Sequence, residues 1–257
     1  MDEAKTAVAS RPAWVDLSSS DPAGSREFYS KLFGWDVEVS PDPQFGGYAM
    51  AKIAGKDVAG IGPTQSPEQP TAWAVHIGTA DAEELAQRVR AAGGTVVAPP
   101  FPVGEEGRLA VFQDTIGAYI SAWQPIQMSG FHRGEPNTFG WAELNARGRE
   151  AALPFYQKVF GWTARTSEMG EGAPPYTEFL VNGESIAGAI EMAPMVPAEV
   201  PSFWMVYFSV TSVADMLTKA VAGGAEVMMG PTDYPGGRFA VLRDPQGATF
   251  GLLTMNG

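Results

Sequence analysis

The sequence predicts an α+β protein built from two tandem duplicated domains, each half being itself a doubled β-α-β-β-(β) unit. Three observations predict it. The chain of 257 residues is long enough for two domains of ordinary size. It also repeats itself: Phe28-Tyr29-Ser30-Lys31-Leu32-Phe33-Gly34-Trp35 returns as Phe155-Tyr156-Gln157-Lys158-Val159-Phe160-Gly161-Trp162 at an offset of 127. Ala92-Gly93-Gly94 returns as Ala222-Gly223-Gly224, and Gly107-Arg108-Leu109-Ala110-Val111 as Gly237-Arg238-Phe239-Ala240-Val241, both at 130. The match is nearly collinear, and a period this long means duplicated domains rather than a solenoid. Finally, short strand patterns alternate with capped helical ones in both copies. The first domain is read as residues 11–126, a linker as 127–135 and the second domain as 136–256.

The elements of the first half follow in order. Ala13 to Leu17 has strand composition. Asp21 is a helix N-cap with Pro22 at the first helical position, and the helix runs to Phe33. Gly34 stops it, as Gly161 stops its copy. Tyr48 to Ile53 and Asp57 to Ile61 form a hairpin turning at Ala54-Gly55. Trp73 to Gly78 is a strand. Ala82 to Ala92 is a helix with Leu85, Val89 and Ala92 on one face, ended by Gly93-Gly94. Leu109 to Phe112 and Ala118 to Trp123 are strands around the turn that begins at Asp114.

Composition excludes several functions. With 17 Lys+Arg against 29 Asp+Glu, the net charge of −12 repels phosphate, and no basic run offsets it, so nucleic acid is not expected as a partner. No apolar run of about 20 residues exists, so no spanning helix and no membrane partner are expected. Met1 to Ser10 does not read as a secretory signal, and the absence of cysteine fits a cytoplasmic address. Zero Cys also removes thiolate metal sites and cysteine nucleophiles, and two His remove any site needing three imidazoles. No Gly-x-Ser-x-Gly, His-Glu-x-x-His or phosphate-binding glycine loop occurs.

Taken together, the Phe-Tyr-x-x-x-Phe-Gly-Trp segments after the first strand of each half, Ala-x-Gly-Gly ending the second helix, and Asp244-Pro245-Gln246-Gly247 before the last strand resemble the vicinal oxygen chelate superfamily of glyoxalases, bleomycin-resistance proteins and extradiol dioxygenases. Asp114-Thr115-Ile116-Gly117 is the weaker copy of the last motif. The resemblance covers nearly the whole chain and is nearest to the two-domain glyoxalase-like branch often labelled hydroxylase. It implies paired βαβββ modules whose mixed sheets curl around a small-molecule cavity.

The resemblance also implies where a divalent metal belongs. Its first ligand lies seven residues before the Asp that opens helix one, which falls on Trp14, with Trp141 as its copy. The last lies seven residues after the turn Asp, on Ser121 and Gly251. The intermediate strand position falls on Ala74 and Met205. These side chains make no ordinary Zn, Fe or Ni site, so no cofactor is expected. A displaced divalent metal site could instead draw on Asp16 with His76, or Glu143 with Glu191.

Strand alternation sets Asp16 on the face of Trp14, Glu143 on that of Trp141, His76 on that of Ala74 and Tyr207 on that of Met205. Asp16, Glu143 and His76 are the candidate acid-base residues. Trp14, Tyr48, Trp141, Tyr176 and Tyr207, with Tyr119, Ser121 and Trp123 on the last strand of the first half, are candidate ligand-lining residues. An aromatic cavity with few polar groups suits a flat or apolar organic molecule. Arg108 and Arg238, each after a glycine at a strand start, either form structural ion pairs or anchor a ligand's oxygens. Two functions fit: a metal-free binder of a small organic molecule, or a glyoxalase-, isomerase- or hydroxylase-type enzyme working through Asp, Glu or His. A third, an interaction role for the acidic surface, has nothing specific in its favour. A monomer or homodimer is expected.

Overall fold

The computed structural model describes residues 10–170 and 174–255. The first half forms β1 (Pro12–Ser19), α1 (Pro22–Phe33), β2 (Asp36–Val39), a 3₁₀ turn at Pro43–Phe45, β3 (Ala49–Ile53), β4 (Lys56–Pro63), β5 (Ala72–Gly78), α2 (Ala82–Ala91), β6 (Thr95–Val103), β7 (Gly107–Gln113) and β8 (Tyr119–Pro125). The second half repeats this as β9 (Phe139–Ala146), α3 (Arg149–Phe160), β10 (Thr163–Ser167), β11 (Tyr176–Val181), β12 (Glu184–Glu191), β13 (Phe203–Ser209), α4 (Val213–Ala222), β14 (Glu226–Tyr234), β15 (Gly237–Arg243) and β16 (Thr249–Met255).

Each half makes one eight-stranded mixed sheet, in the orders β2-β3-β4-β1-β5-β8-β7-β6 and β10-β11-β12-β9-β13-β16-β15-β14. Strands joined by hairpins pair antiparallel, whereas β1 with β4, β5 with β8, β9 with β12 and β13 with β16 pair parallel. Every half is thus two βαβββ modules side by side, the fold that the repeats and the resemblance predict. The hairpin at Ala54-Gly55 has both residues at positive φ, 49° and 76°, as a tight two-residue turn requires. β2, β6, β10 and β14 are not marked in the sequence pattern. All four end their sheets and are largely exposed, so no hydrophobic alternation announces them. β6 also carries Pro99, Pro100 and Pro102, which only an edge strand tolerates.

By packing, the chain divides into two compact units that interleave the halves. One contains residues up to Trp14, Val75–Gly130 and Ala142–Trp204. The other contains Val15–Ala74, Phe131–Trp141 and the residues from Met205 on. The repeated aromatic motif explains this division. In the second unit Tyr29 of α1 is fully buried, edge-on to Trp73 (centroids 5.2 Å, 84°) and stacked beside Trp35 (5.8 Å, 21°). Its hydroxyl donates to Asp244 Oδ2 at 2.9 Å and accepts from Trp73 Nε1 at 2.9 Å. The other oxygen of Asp244 accepts the backbone N–H groups of Gln246 and Ala248, which shapes the turn before β16. Gly34, at φ 74°, turns the chain so that Trp35 folds back beside the tyrosine, and its indole donates to Asn137 O at 2.8 Å.

The first unit repeats the arrangement with the halves exchanged. Tyr156 of α3 donates to Asp114 Oδ2 at 2.6 Å and accepts from Trp204 Nε1 at 2.8 Å. Asp114 Oδ1 accepts from Ile116 and Ala118. Trp162 stacks on Tyr156 (5.6 Å, 8°) and donates to Ser10 O. Each half's tyrosine is therefore hydrogen-bonded to the other half's turn aspartate.

These groups are buried, and burial is the main cause of their titration shifts. It raises both aspartates above the usual carboxylate range, their hydrogen bonds pulling the other way. It holds both tyrosines well above the ordinary phenol value, assisted by the neighbouring carboxylates.

Tyr29→Phe and Tyr156→Phe should each destabilise the fold by about 1–3 kcal/mol, since each strands a buried carboxylate oxygen and an indole N–H. The two losses, measured by urea unfolding, should add, because each lies in its own hydrogen-bonded cluster. The tyrosines also set an alkaline limit. Their folded pKa lies above the unfolded value of about 10, so their contribution is complete below that pH and lost as pH rises towards the folded value. Spectrophotometric titration should show two phenols that ionise only as the protein unfolds, and one such phenol in either Phe variant.

Candidate functional site

In the second compact unit, β1 and β4 pair so that Asp16 stands opposite Gly60. The ring of Tyr48, just before β3, lies across that strand. A Cβ built at Gly60 would overlap the Tyr48 hydroxyl, and one at Gly62 would come 2.8 Å from Cδ2. Only glycine leaves the ring this seat. Tyr48 Oη then donates to Asp16 Oδ2 at 3.2 Å, and both residues are half-buried. A carboxylate joined to a phenol can bind a ligand hydroxyl or relay a proton to one. The sequence named both residues but not the glycines between them; a Gly-x-Gly inside a strand was the signal for close approach.

The same unit holds a second arrangement. Tyr207 on β13 stands opposite Gly251 on β16, and its ring covers that glycine: a Cβ there would overlap Cδ1 and Cε1. Tyr207 meets Phe239 edge-on at 6.3 Å, and Phe239 meets Tyr234 at 6.1 Å. The Tyr234 hydroxyl donates to Thr254 O at 3.2 Å, and burial raises its phenol pKa. Phe239 and Tyr234 are sequence-silent members of this group. Trp141 is half-buried on β9. Arg238 is exposed and grips Asp233 with two hydrogen bonds, of 2.6 and 2.9 Å, an ion pair along the β14–β15 edge.

In the first compact unit, His76 on β5 stands opposite Ser121 on β8, and both are buried. These are the counterparts in the first half of Tyr207 and Gly251. Trp14 is buried on β1. Trp123 is buried against Gly107 and donates its indole N–H to Met128 O, which ties β8 to the join between halves. Tyr119, two residues before Ser121, is 58% exposed. Arg108 pairs with Glu83 at 2.8 Å and donates to Pro100 O. The glycines before the two arginines serve internal contacts: Gly107 admits the ring of Trp123, and Gly237 lies against Thr254 O.

Glu143 on β9 stands opposite Gly188 on β12, the counterpart of Asp16 and Gly60, and receives a hydrogen bond from Asn145 Nδ2 at 3.4 Å. Tyr176 is half-buried at the start of β11, as Tyr48 is before β3. Glu191 does not join Glu143. It stands opposite Ala146, three positions along the same ladder, so the two project from opposite faces. Its carboxylate instead caps α3, accepting from Gly148 N at 2.9 Å and Arg149 N at 2.8 Å. α3 begins after Gly148 with no side-chain cap of its own, and this strand-to-helix bond supplies one.

The donor set at the implied metal positions is Trp14, Ala74 and Ser121 in one half and Trp141, Met205 and Gly251 in the other. It does not fit a divalent transition metal. Among the described residues, no group of three or more His, Asp or Glu is placed to hold one. Nor does any described helix have the length and apolarity to cross a membrane.

Comparison with known proteins agrees with this architecture. The sequence matches the Glyoxalase/Bleomycin resistance protein/Dioxygenase superfamily over residues 11–121 and again over 138–252. A Mycobacterium bovis protein carrying the provisional name glyoxylase CFP32 is 37% identical over 248 residues, 94% of each chain. The anthracycline biosynthesis protein DnrV of Streptomyces peucetius is 36% identical over 260 residues, 95% of this chain and 93% of that one. The crystal structure of the 2,3-dioxygenase LapB from Pseudomonas sp. KL28 superposes with a TM-score of 0.68 at 16% identity, covering 96% of this chain and 92% of that one, a likeness of fold alone. Two copies of the family's domain in tandem, and full-length relatives well above the identity at which kinship is secure, place this chain in the glyoxalase, bleomycin-resistance and dioxygenase superfamily.

Proposed function

We propose that this member of the superfamily binds a small aromatic or apolar organic molecule on its sheets without a metal at the family's positions. The observation that carries the reading is the side chains at those positions: tryptophan, alanine, serine, methionine and glycine, with the Tyr207 ring lying over Gly251. Aromatic rings recur along the strands where coordinating groups are lacking, and rings favour flat or apolar partners. Likeness to a relative named for anthracycline biosynthesis supports a ligand drawn from secondary metabolism.

The Asp16–Tyr48 hydrogen bond favours a second reading, an enzyme of the glyoxalase, isomerase or hydroxylase kind. A carboxylate bonded to a phenol can take a proton from a bound hydroxyl or carbon acid, a contribution of about 10²–10⁴-fold in rate. In either role the chain acts on a small molecule, in the cytoplasm, as a monomer or homodimer.

Thermal-shift screening of aromatic compounds, beside elemental analysis of the purified protein, tests the first reading. Stabilisation that persists in EDTA, with no stoichiometric metal, is the expected result. One or two equivalents of bound metal, with stabilisation abolished by EDTA, overturn it. Asp16→Asn then separates recognition from architecture. The amide keeps an oxygen for the Tyr48 hydroxyl but loses the charge. Affinity for the best compound should fall about tenfold, the worth of one charged hydrogen bond, with the melting temperature little changed. A fall in melting temperature with unaltered affinity would make Asp16 a structural group.

A further inference from the structure

The two halves differ in chemistry at one facing pair of strand positions that bears on the implied metal site. Where the first half sets His76 opposite Ser121, the second sets Tyr207 opposite Gly251. Ser121 retains a Cβ at the last implied ligand position, whereas at Gly251 any Cβ would overlap the Tyr207 ring. The glycine and the tyrosine are a matched pair. A histidine or glutamate could return to position 251 only if Tyr207 left.

The pair is continuous with other rings. Phe239 stands opposite Leu253, two residues from Gly251 on β16, so Tyr207, Gly251, Leu253 and Phe239 share one face of the sheet. Tyr234 extends the row at 6.1 Å from Phe239, its hydroxyl tethered to Thr254 O. Tyr207 is buried, and Phe239 and Tyr234 are half-buried, so the row runs from the interior towards solvent. All five residues belong to one compact unit.

Resting on the metal-free reading, we infer that the compact unit holding Tyr207, rather than the one holding His76, is the ligand-bearing one, and that Tyr207, seated on Gly251, replaces the coordinating group with an aromatic wall. With Phe239 and Tyr234 it lines the site of a flat, fused-ring ligand, which stacks on one ring and packs against the edges of the others. The rings meet one another edge-on (76° and 66°), so a flat guest stacked on one ring meets the next by its edge.

The test uses the full chain and 9,10-anthraquinone-2-sulfonate, a planar probe without a chelating pair. It is anionic, so its binding to a chain of net charge −12 reports stacking rather than charge attraction. Binding is followed by quenching of protein fluorescence, with and without EDTA. Tyr207→Ala should weaken it at least about tenfold, as loss of one stacking ring does, and His76→Ala less than about twofold. A steric cycle reads the seat itself without any ligand: Gly251→Ala should lower the melting temperature by several degrees in the parent chain and far less in the Tyr207→Ala background. Loss confined to His76→Ala puts the ligand in the compact unit of His76 and overturns the inference while leaving the metal-free reading intact. No saturable binding of the probe, or equal effects of Gly251→Ala in both backgrounds, also overturns it. Binding abolished by EDTA overturns instead the reading on which it rests.

Discussion

The structure depends on one reciprocal hydrogen bond, made twice: a helix tyrosine of one half donating to the turn aspartate of the other. Tyr29 reaches Asp244 and Tyr156 reaches Asp114, each phenol also accepting an indole N–H. A buried carboxylate is tolerable only when its oxygens are all engaged, and here each has two backbone N–H groups on one oxygen and the tyrosine on the other. That requirement fixes the turn, the helix and the aromatic layer around them as one piece. It also explains why the most recognisable segment of the sequence is structural. The motif carries rings that stack within the core, and none of its residues belongs to the candidate site.

The site residues obey a different rule. Along the strands, a ring meets a glycine at three places: Tyr48 over Gly60 and Gly62, Tyr207 over Gly251, Trp123 over Gly107. Each glycine gives up its own side chain so that a neighbour's ring can lie flat on the sheet. Each unit keeps an isolated polar side chain on such strands, Asp16 in one and Ser121 in the other. Charged side chains are settled elsewhere: Arg108, Arg238 and Glu191 each complete a pair or a cap that belongs to the scaffold.

Much of the fold was legible because duplication let one half check the other. The Ala54-Gly55 turn and the helix stops at Gly34 and Gly161 follow from local stereochemistry, and local rules can be read locally. The edge strands could not be read, since exposure erases alternation and the prolines of β6 mimic a loop. At the site, Asp16, Tyr48 and Tyr207 could be chosen from strand alternation, and the absent metal donors could be counted. What escaped were relations between distant positions. Nothing near Tyr29 announces Asp244, nothing near Gly251 announces the ring above it, and Glu191 looks like a ligand until the helix it caps is in place. Phe239 and Tyr234 escaped for the same reason, being ordinary strand aromatics until their spacing across the sheet is known.

The exchange of tyrosines and aspartates has a consequence for synthesis. Tyr29 finds its acceptor 215 residues later in the chain, almost at the end of the sequence. The amino-terminal half therefore leaves the ribosome with α1 and its four aromatic motif residues, Phe28, Tyr29, Phe33 and Trp35, lacking the strands that will cover them. Neither repeat completes its tyrosine–aspartate bond until the other is present, although a tandem duplication ordinarily lets each copy close on itself. Chain length thus sets the timing. Contacts this remote favour slow closure. Each copy of the duplicated sequence thus completes the aromatic cluster begun by the other.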